Sequence, residues 1–117
     1  MPTKQEERGD RRAGVGWEGW VGGMAPVQGR GTVDGHPWHF RARRDAWGLT
    51  IAEQPGDEPD AVGDTLSGWV AEGDYGHGVD ASAMLSDVAW KLIIDAIERF
   101  RSGLLPQIQA SKPPRNR

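Results

Sequence analysis

Val33 to Ala52 reads V-D-G-H-P-W-H-F-R-A-R-R-D-A-W-G-L-T-I-A, and this stretch decides the fold. Side chains alternate along a strand, so Trp38, Phe40 and Ala42 go to one face and His39, Arg41 and Arg43 to the other. One face is core and one is wet. Asp34-Gly35 is the dipeptide best able to adopt the positive backbone angles of a primed hairpin turn, which pairs Val27 to Val33 with Trp38 to Arg43. Arg44-Asp45 offers a second reversal into Trp47, Leu49 and Ile51, which alternate with Gly48, Thr50 and Ala52. Three antiparallel strands in a meander follow.

Outward from the meander the signals thin. Leu66 to Glu72 carries Trp69 and predicts a fourth strand, between loops at Gln54 to Asp64 and Gly73 to Asp80 that are rich in Gly, Pro and Asp. Gly14 to Met24 joins a glycine-rich backbone to Trp17 and Trp20, and reads as an irregular strand or a flap. A helix is predicted between Ser86, a candidate N-cap, and Gly103, where a left-handed residue is wanted, with Pro106 beyond. Ala89, Leu92, Ile93, Ala96, Ile97 and Phe100 recur at helical spacing and should cover the sheet. Asp87 with Lys91 and Asp95 with Arg99 mark its wet side. Trp90 and Ile94 widen the apolar sector, which then meets either the Trp17/Trp20 segment or a second copy. The protein is thus a monomer or a homodimer through the helix.

The expected fold is α+β: a small antiparallel meander of three to five strands with one C-terminal helix packed on one face. Its expected core is Val33, Trp38, Phe40, Trp47, Leu49, Ile51, Trp69, Leu92, Ile93, Ala96, Ile97 and Phe100. With 117 residues there is room for one domain, Gly14 to Gly103, after a disordered arm at Met1 to Ala13 and before a flexible basic tail at 104–117. The 6 tryptophans must supply much of the burial, because 17 glycines and 8 prolines dilute the core.

The chain has no cysteine, which removes disulfides, thiolate nucleophiles and cysteine metal sites. Met1 to Arg12 lacks the apolar core of a signal peptide, and no run is long enough to span a bilayer, so the expected location is the cytoplasm with no membrane partner. Arginine far outnumbers lysine, as in GC-rich genomes. The formal net charge of -3 conceals a partition. Glu53 to Asp80 is acidic without a single Lys or Arg, whereas Arg30, Arg41, Arg43 and Arg44 gather around the first hairpin.

Catalytic and cofactor signals are weak. Gly14 to Gly19 matches G-x-G-x-x-G, but no buried strand precedes it and no helix opens after it, so no dinucleotide cofactor is expected. His36 and His39 fall on opposite faces of one strand, without ligand-spaced partners, so no metal is expected. His77, between glycines in the acidic loop Asp74 to Asp80, is the candidate general base of a small enzyme. The stronger candidate is a patch for anions or a partner protein built from Arg30, His39, Arg41, Arg43 and Arg44, unless the acidic segment neutralises it. The strand aromatics face away from that patch, which argues against base stacking.

The run from Gly31 to Glu53, with G-W-V-A-E-G-D-Y-G downstream and a closing helix, resembles a group of small proteins encoded by phages and mobile elements of GC-rich bacteria. The resemblance covers Gly31 to Gly103 and brings no catalytic residues. It implies a phage or mobile-element setting, in which small proteins frequently act as stoichiometric modulators. The expected function is therefore a non-enzymatic module, a phage-type inhibitor or modulator that binds a host protein through the basic face. Trp17, Trp20 and Trp90 are candidate aromatic anchors for it. The alternative is a nucleic-acid-binding accessory protein using the same cations.

Overall fold

The computed structural model describes residues 9–23, 27–74 and 84–111. Among these residues seven strands lie in one antiparallel sheet in chain order: β1 (Asp10–Gly14), β2 (Trp17–Gly22), β3 (Val27–Val33), β4 (His36–Arg43), β5 (Ala46–Ala52), β6 (Gly68–Asp74) and β7 (Gln107–Ile108). A helix, α1 (Ser86–Arg101), covers one face, and a single 3-10 turn at Pro59–Ala61 lies in the β5–β6 connection. The fold is α+β as expected, but with seven strands instead of three to five.

The two reversals at the centre are as the turn chemistry requires. Asp34 and Gly35 have φ of 50° and 84°, the double positive of a type I′ turn, and Val33 pairs with His36 across it. Arg44 also has a positive φ, 58°, and Arg43 pairs with Ala46. The resulting register places the whole expected core on the helix side. Val33, Trp38, Phe40, Leu49, Ile51, Ile93, Ala96 and Ile97 are buried, with Trp47, Trp69, Leu92 and Phe100 packed against them.

Tryptophan and glycine share the work on that inner face. The indole of Trp38 lies where side chains from β2 and β3 would stand: a Cβ on Gly19 or Gly31 would come within 2.5 or 2.6 Å of its Cζ2. Trp90 meets Trp38 edge-on with ring centres 5.9 Å apart and packs against Trp17 at 5.5 Å. Its Nε1 donates to the Asp10 carbonyl over 3.1 Å. Within the chain, the broad apolar sector of the helix thus meets the Trp17 segment through Trp90. Near the other end of the helix, His36, Trp69 and Phe100 pack edge to face with centres 4.9 to 5.4 Å apart.

Both edges of the sheet extend beyond the expected domain. Asp10 to Ala13, expected in the disordered arm, belong to β1, and Arg12 ties it to α1 by pairing with Asp10 and Asp87. Past the helix, Leu105 is buried and Gln107–Ile108 pair with Gly68 and Trp69, so this part of the expected tail is built into the sheet. Gly73 and Asp74, expected in a loop, close β6.

The helix ends behave differently. Ser86 is the first helical residue and not the cap, a position taken by Leu85 without a side-chain bond. The Ser86 hydroxyl instead joins Arg12 around the Asp10 carboxyl and holds it below the usual range, Arg12 contributing most. At the C-terminus Gly103 has φ of 71°, its N–H bonds Phe100 O, and the Leu104 N–H bonds Arg99 O over 2.8 Å. That pair of bonds is a Schellman cap. Arg101 then donates to both Asp34 oxygens and, over 2.6 Å, to Val15 O, pinning the helix end to two hairpin turns.

Candidate functional site

The face away from α1 carries the cationic row. Register sets Arg30 beside His39 and Thr50, and Arg41 beside Gly48 and Glu72. Arg43, Ala46 and Asp74 form the next rung. The five cations expected to act together are divided by the acidic loop.

Arg30 is committed to the fold. The β5–β6 connection folds back over β3, β4 and β5, where Arg30 donates to Glu58 over 2.8 Å and to both oxygens of Asp60 over 2.7 and 2.9 Å. Pro59 is buried between these two carboxylates, and its carbonyl accepts a bond from the Thr50 hydroxyl over 2.8 Å. The acidic segment thus neutralises one end of the row. A patch containing a free Arg30 is corrected accordingly.

His39 sits at the boundary. Its side chain is only 12% exposed, Nδ1 lies 3.5 Å from Asp60 Oδ1, and Nε2 is buried without a hydrogen-bond partner. Desolvation drives its pKa below the ordinary value, helped by Arg30 and Arg41 and opposed by Asp60 and Glu58. Burial prevails because Arg30 already compensates the carboxylates that would favour an imidazolium. The ring is neutral at pH 7 and adds no cation to the patch.

Arg41, Arg43 and Arg44 are exposed, and among the described residues none has a carboxylate within ion-pair distance. Arg44 stands apart in the β4–β5 turn. Arg41 and Arg43 form one wall of an open groove of about 370 Å3, floored by Ala46, Trp47, Gly48 and Thr50 and closed at one end by His39 and Asp60. Gly48 leaves a gap in that floor: a Cβ there would meet no atom within 4 Å. Glu72 and Asp74, one strand further, stand roughly 9.5 Å from the arginine row at the backbone.

The three candidate anchors are packing residues. Trp90 is fully buried beneath the sheet, Trp17 packs on it, and Trp20 is 6% exposed although it shares the outer face. Trp20 is flanked in register by Arg11 and Arg30, whose long side chains border it. Trp20 and Trp90 are therefore closed off within the described structure, and Trp17 stays half-buried against Trp90. His77 lies outside the described residues. The residues that complete the groove, Gly48, Thr50 and Asp60, carried only a faint signal: a glycine on outer parity between two core residues, and a carboxylate in an acidic loop.

The Gly14 to Gly19 motif is the β1–β2 hairpin, turning at Val15-Gly16, and it presents no helix terminus to a phosphate. Among the described residues no group of three or more His, Asp or Glu side chains gathers within reach of one metal ion. Among the same residues no helix is long and apolar enough to cross a membrane. No protein-family model matches the chain, and no match exists among curated proteins or solved structures.

Proposed function

We propose that this protein is a non-enzymatic interaction module that binds an acidic surface of a partner protein in the groove between Arg41, Arg43 and the floor of β5. One observation carries the reading: of the cations on this face, Arg41 and Arg43 alone border a cavity and lack carboxylate partners among the described residues, while Arg30 is spent on Glu58 and Asp60. Guanidinium groups in pairs are suited to carboxylate recognition, because each presents a planar fork of donors. A protein fits better than nucleic acid. Asp60 at the end of the groove and Glu72 and Asp74 one strand beyond its floor would repel a continuous phosphate backbone. Among the described residues the aromatic side chains of the strands other than the buried Trp20, Trp47 of the groove floor included, pack toward the helix side. The expected resemblance to small phage-encoded proteins is the ground for proposing a host protein as the partner.

The test is capture from a bacterial lysate on two baits, the wild-type chain and the double variant Arg41→Glu/Arg43→Glu, with circular dichroism confirming equal folding. A single protein recovered stoichiometrically on the wild type and lost on the variant is the expected result. Recovery of that protein on both baits would remove the groove from the interaction. Nuclease-sensitive material on the wild type would move the protein to the nucleic-acid class.

A further inference from the structure

Resting on that reading, we infer that the groove selects a segment in which two carboxylates flank a proline or another small apolar residue. The molecule contains a seated example of this chemistry beside the groove. In Glu58-Pro59-Asp60 the two carboxylates grip Arg30, Pro59 is buried against the sheet, and Thr50 bonds its carbonyl. This is a short acidic peptide bound to the outer face by its own chain. Asp60 is also the end wall of the open groove, so a partner segment would lie in direct continuation of the internal one.

The open half offers the same class of donor in a different arrangement, two guanidinium groups where the occupied half uses Arg30 alone. Arg41 and Arg43 project on one side with their backbone positions roughly 6.5 Å apart, the spacing of alternate residues in an extended peptide. Carboxylates two residues apart in the ligand therefore reach both. The residue between them then faces β5, where Gly48 leaves an unfilled space and Ala46 a small apolar surface. The carboxylates must point toward β4, because Glu72 and Asp74 border the other side. Recognition of acidic motifs by arginine clusters commonly combines such charge contacts with a pocket for an intervening side chain.

The probe is a fluorescein-labelled hexapeptide with the sequence of residues 56–61, G-D-E-P-D-A, titrated into the full chain by anisotropy at low salt. Its amide counterpart G-N-Q-P-N-A and a single-stranded oligonucleotide serve as comparisons. Wild type should bind the acidic peptide at least about tenfold more tightly than the amide, the range of a close charge contact. Arg41→Glu/Arg43→Glu should abolish that difference. Gly48→Val should abolish it as well, since a side chain there fills the floor without touching a neighbour, and Gly48→Ala provides a milder version should valine disturb the strand. Equal affinity for the two peptides, full binding by both Gly48 variants, or tighter binding of the oligonucleotide would each overturn the inference. A captured partner that still depends on Arg41 and Arg43 while the peptides do not discriminate would sink the motif and leave the interaction module standing. Discrimination between peptides without any captured partner would do the reverse.

Discussion

The two faces of one sheet are built on opposite rules. On the inner face the space is consumed: Trp38 occupies the room that Gly19 and Gly31 leave, and Trp90 closes over it. On the outer face glycine leaves room that the described residues do not fill, as Gly48 shows, and charge replaces apolar contact. The same residue type is thus a packing device on one side and an opening on the other. What differs is the neighbour, a large indole in one case and, in the other, two arginines without a carboxylate partner among the described residues.

The sharpest break in this comparison is Trp38→Ala, which should lower stability by about 3–5 kcal/mol through loss of burial and a cavity under Trp90. Denaturant unfolding would measure it, and a loss below about 1 kcal/mol would mean that the inner face tolerates voids. Next comes Gly31→Ala, whose new methyl collides with the Trp38 ring and the β2 backbone; it should cost about 1–3 kcal/mol. Gly48→Ala, the matching change on the outer face, should leave the thermal midpoint unchanged or slightly raised. Equal effects of the two substitutions would erase the distinction between the faces.

Smaller effects sharpen the division within the outer face. Arg30→Ala should cost at most about 1 kcal/mol, because its ion pairs are half exposed and screened by salt, yet it should speed amide exchange across Glu58 to Ala61. Arg41→Ala, with no carboxylate partner to lose among the described residues, should do neither. His39 supplies the smallest effect. Its folded pKa lies below the unfolded value, so below about pH 6.5 the unfolded chain binds more protons and stability falls with pH until the folded pKa is passed. Arg30, Arg41, Glu58 and Asp60 face the ring and set the width of that window. His39→Gln should flatten the stability profile just below about pH 6.5, ahead of carboxylate titration, and an unchanged profile would place the sensitivity elsewhere.

Legibility in the sequence followed the range of the causes. The β3–β4–β5 meander was readable because its causes are local: Asp34-Gly35 fixes a turn, and the alternation from Trp38 to Ile51 fixes two faces. The helix was readable for the same reason, since its stripe and Gly103 lie within one segment. The first strand was not, because Asp10-Arg11-Arg12 has no apolar alternation and is held by Asp87 and Trp90, some 75 to 80 residues away. The division of the cations was hidden likewise. Arg30 and Arg41 look equivalent until the chain carries Glu58 and Asp60 back over one of them. Trp20 broke its parity, being buried on the wet face between two arginines.

Strand order identical to chain order carries a kinetic consequence. Each strand from β1 to β6 pairs with the next through a connection of modest length, so most of the sheet can form through neighbouring hairpins that close rapidly. The helix comes afterwards and must reach back to β1, the most distant strand in the chain. During synthesis the meander therefore emerges with Trp17, Trp38 and Phe40 uncovered until Ser86 to Arg101 has left the ribosome. A ribosome stalled just before Ser86 would display that aromatic face to whatever chaperone or neighbouring chain is nearest.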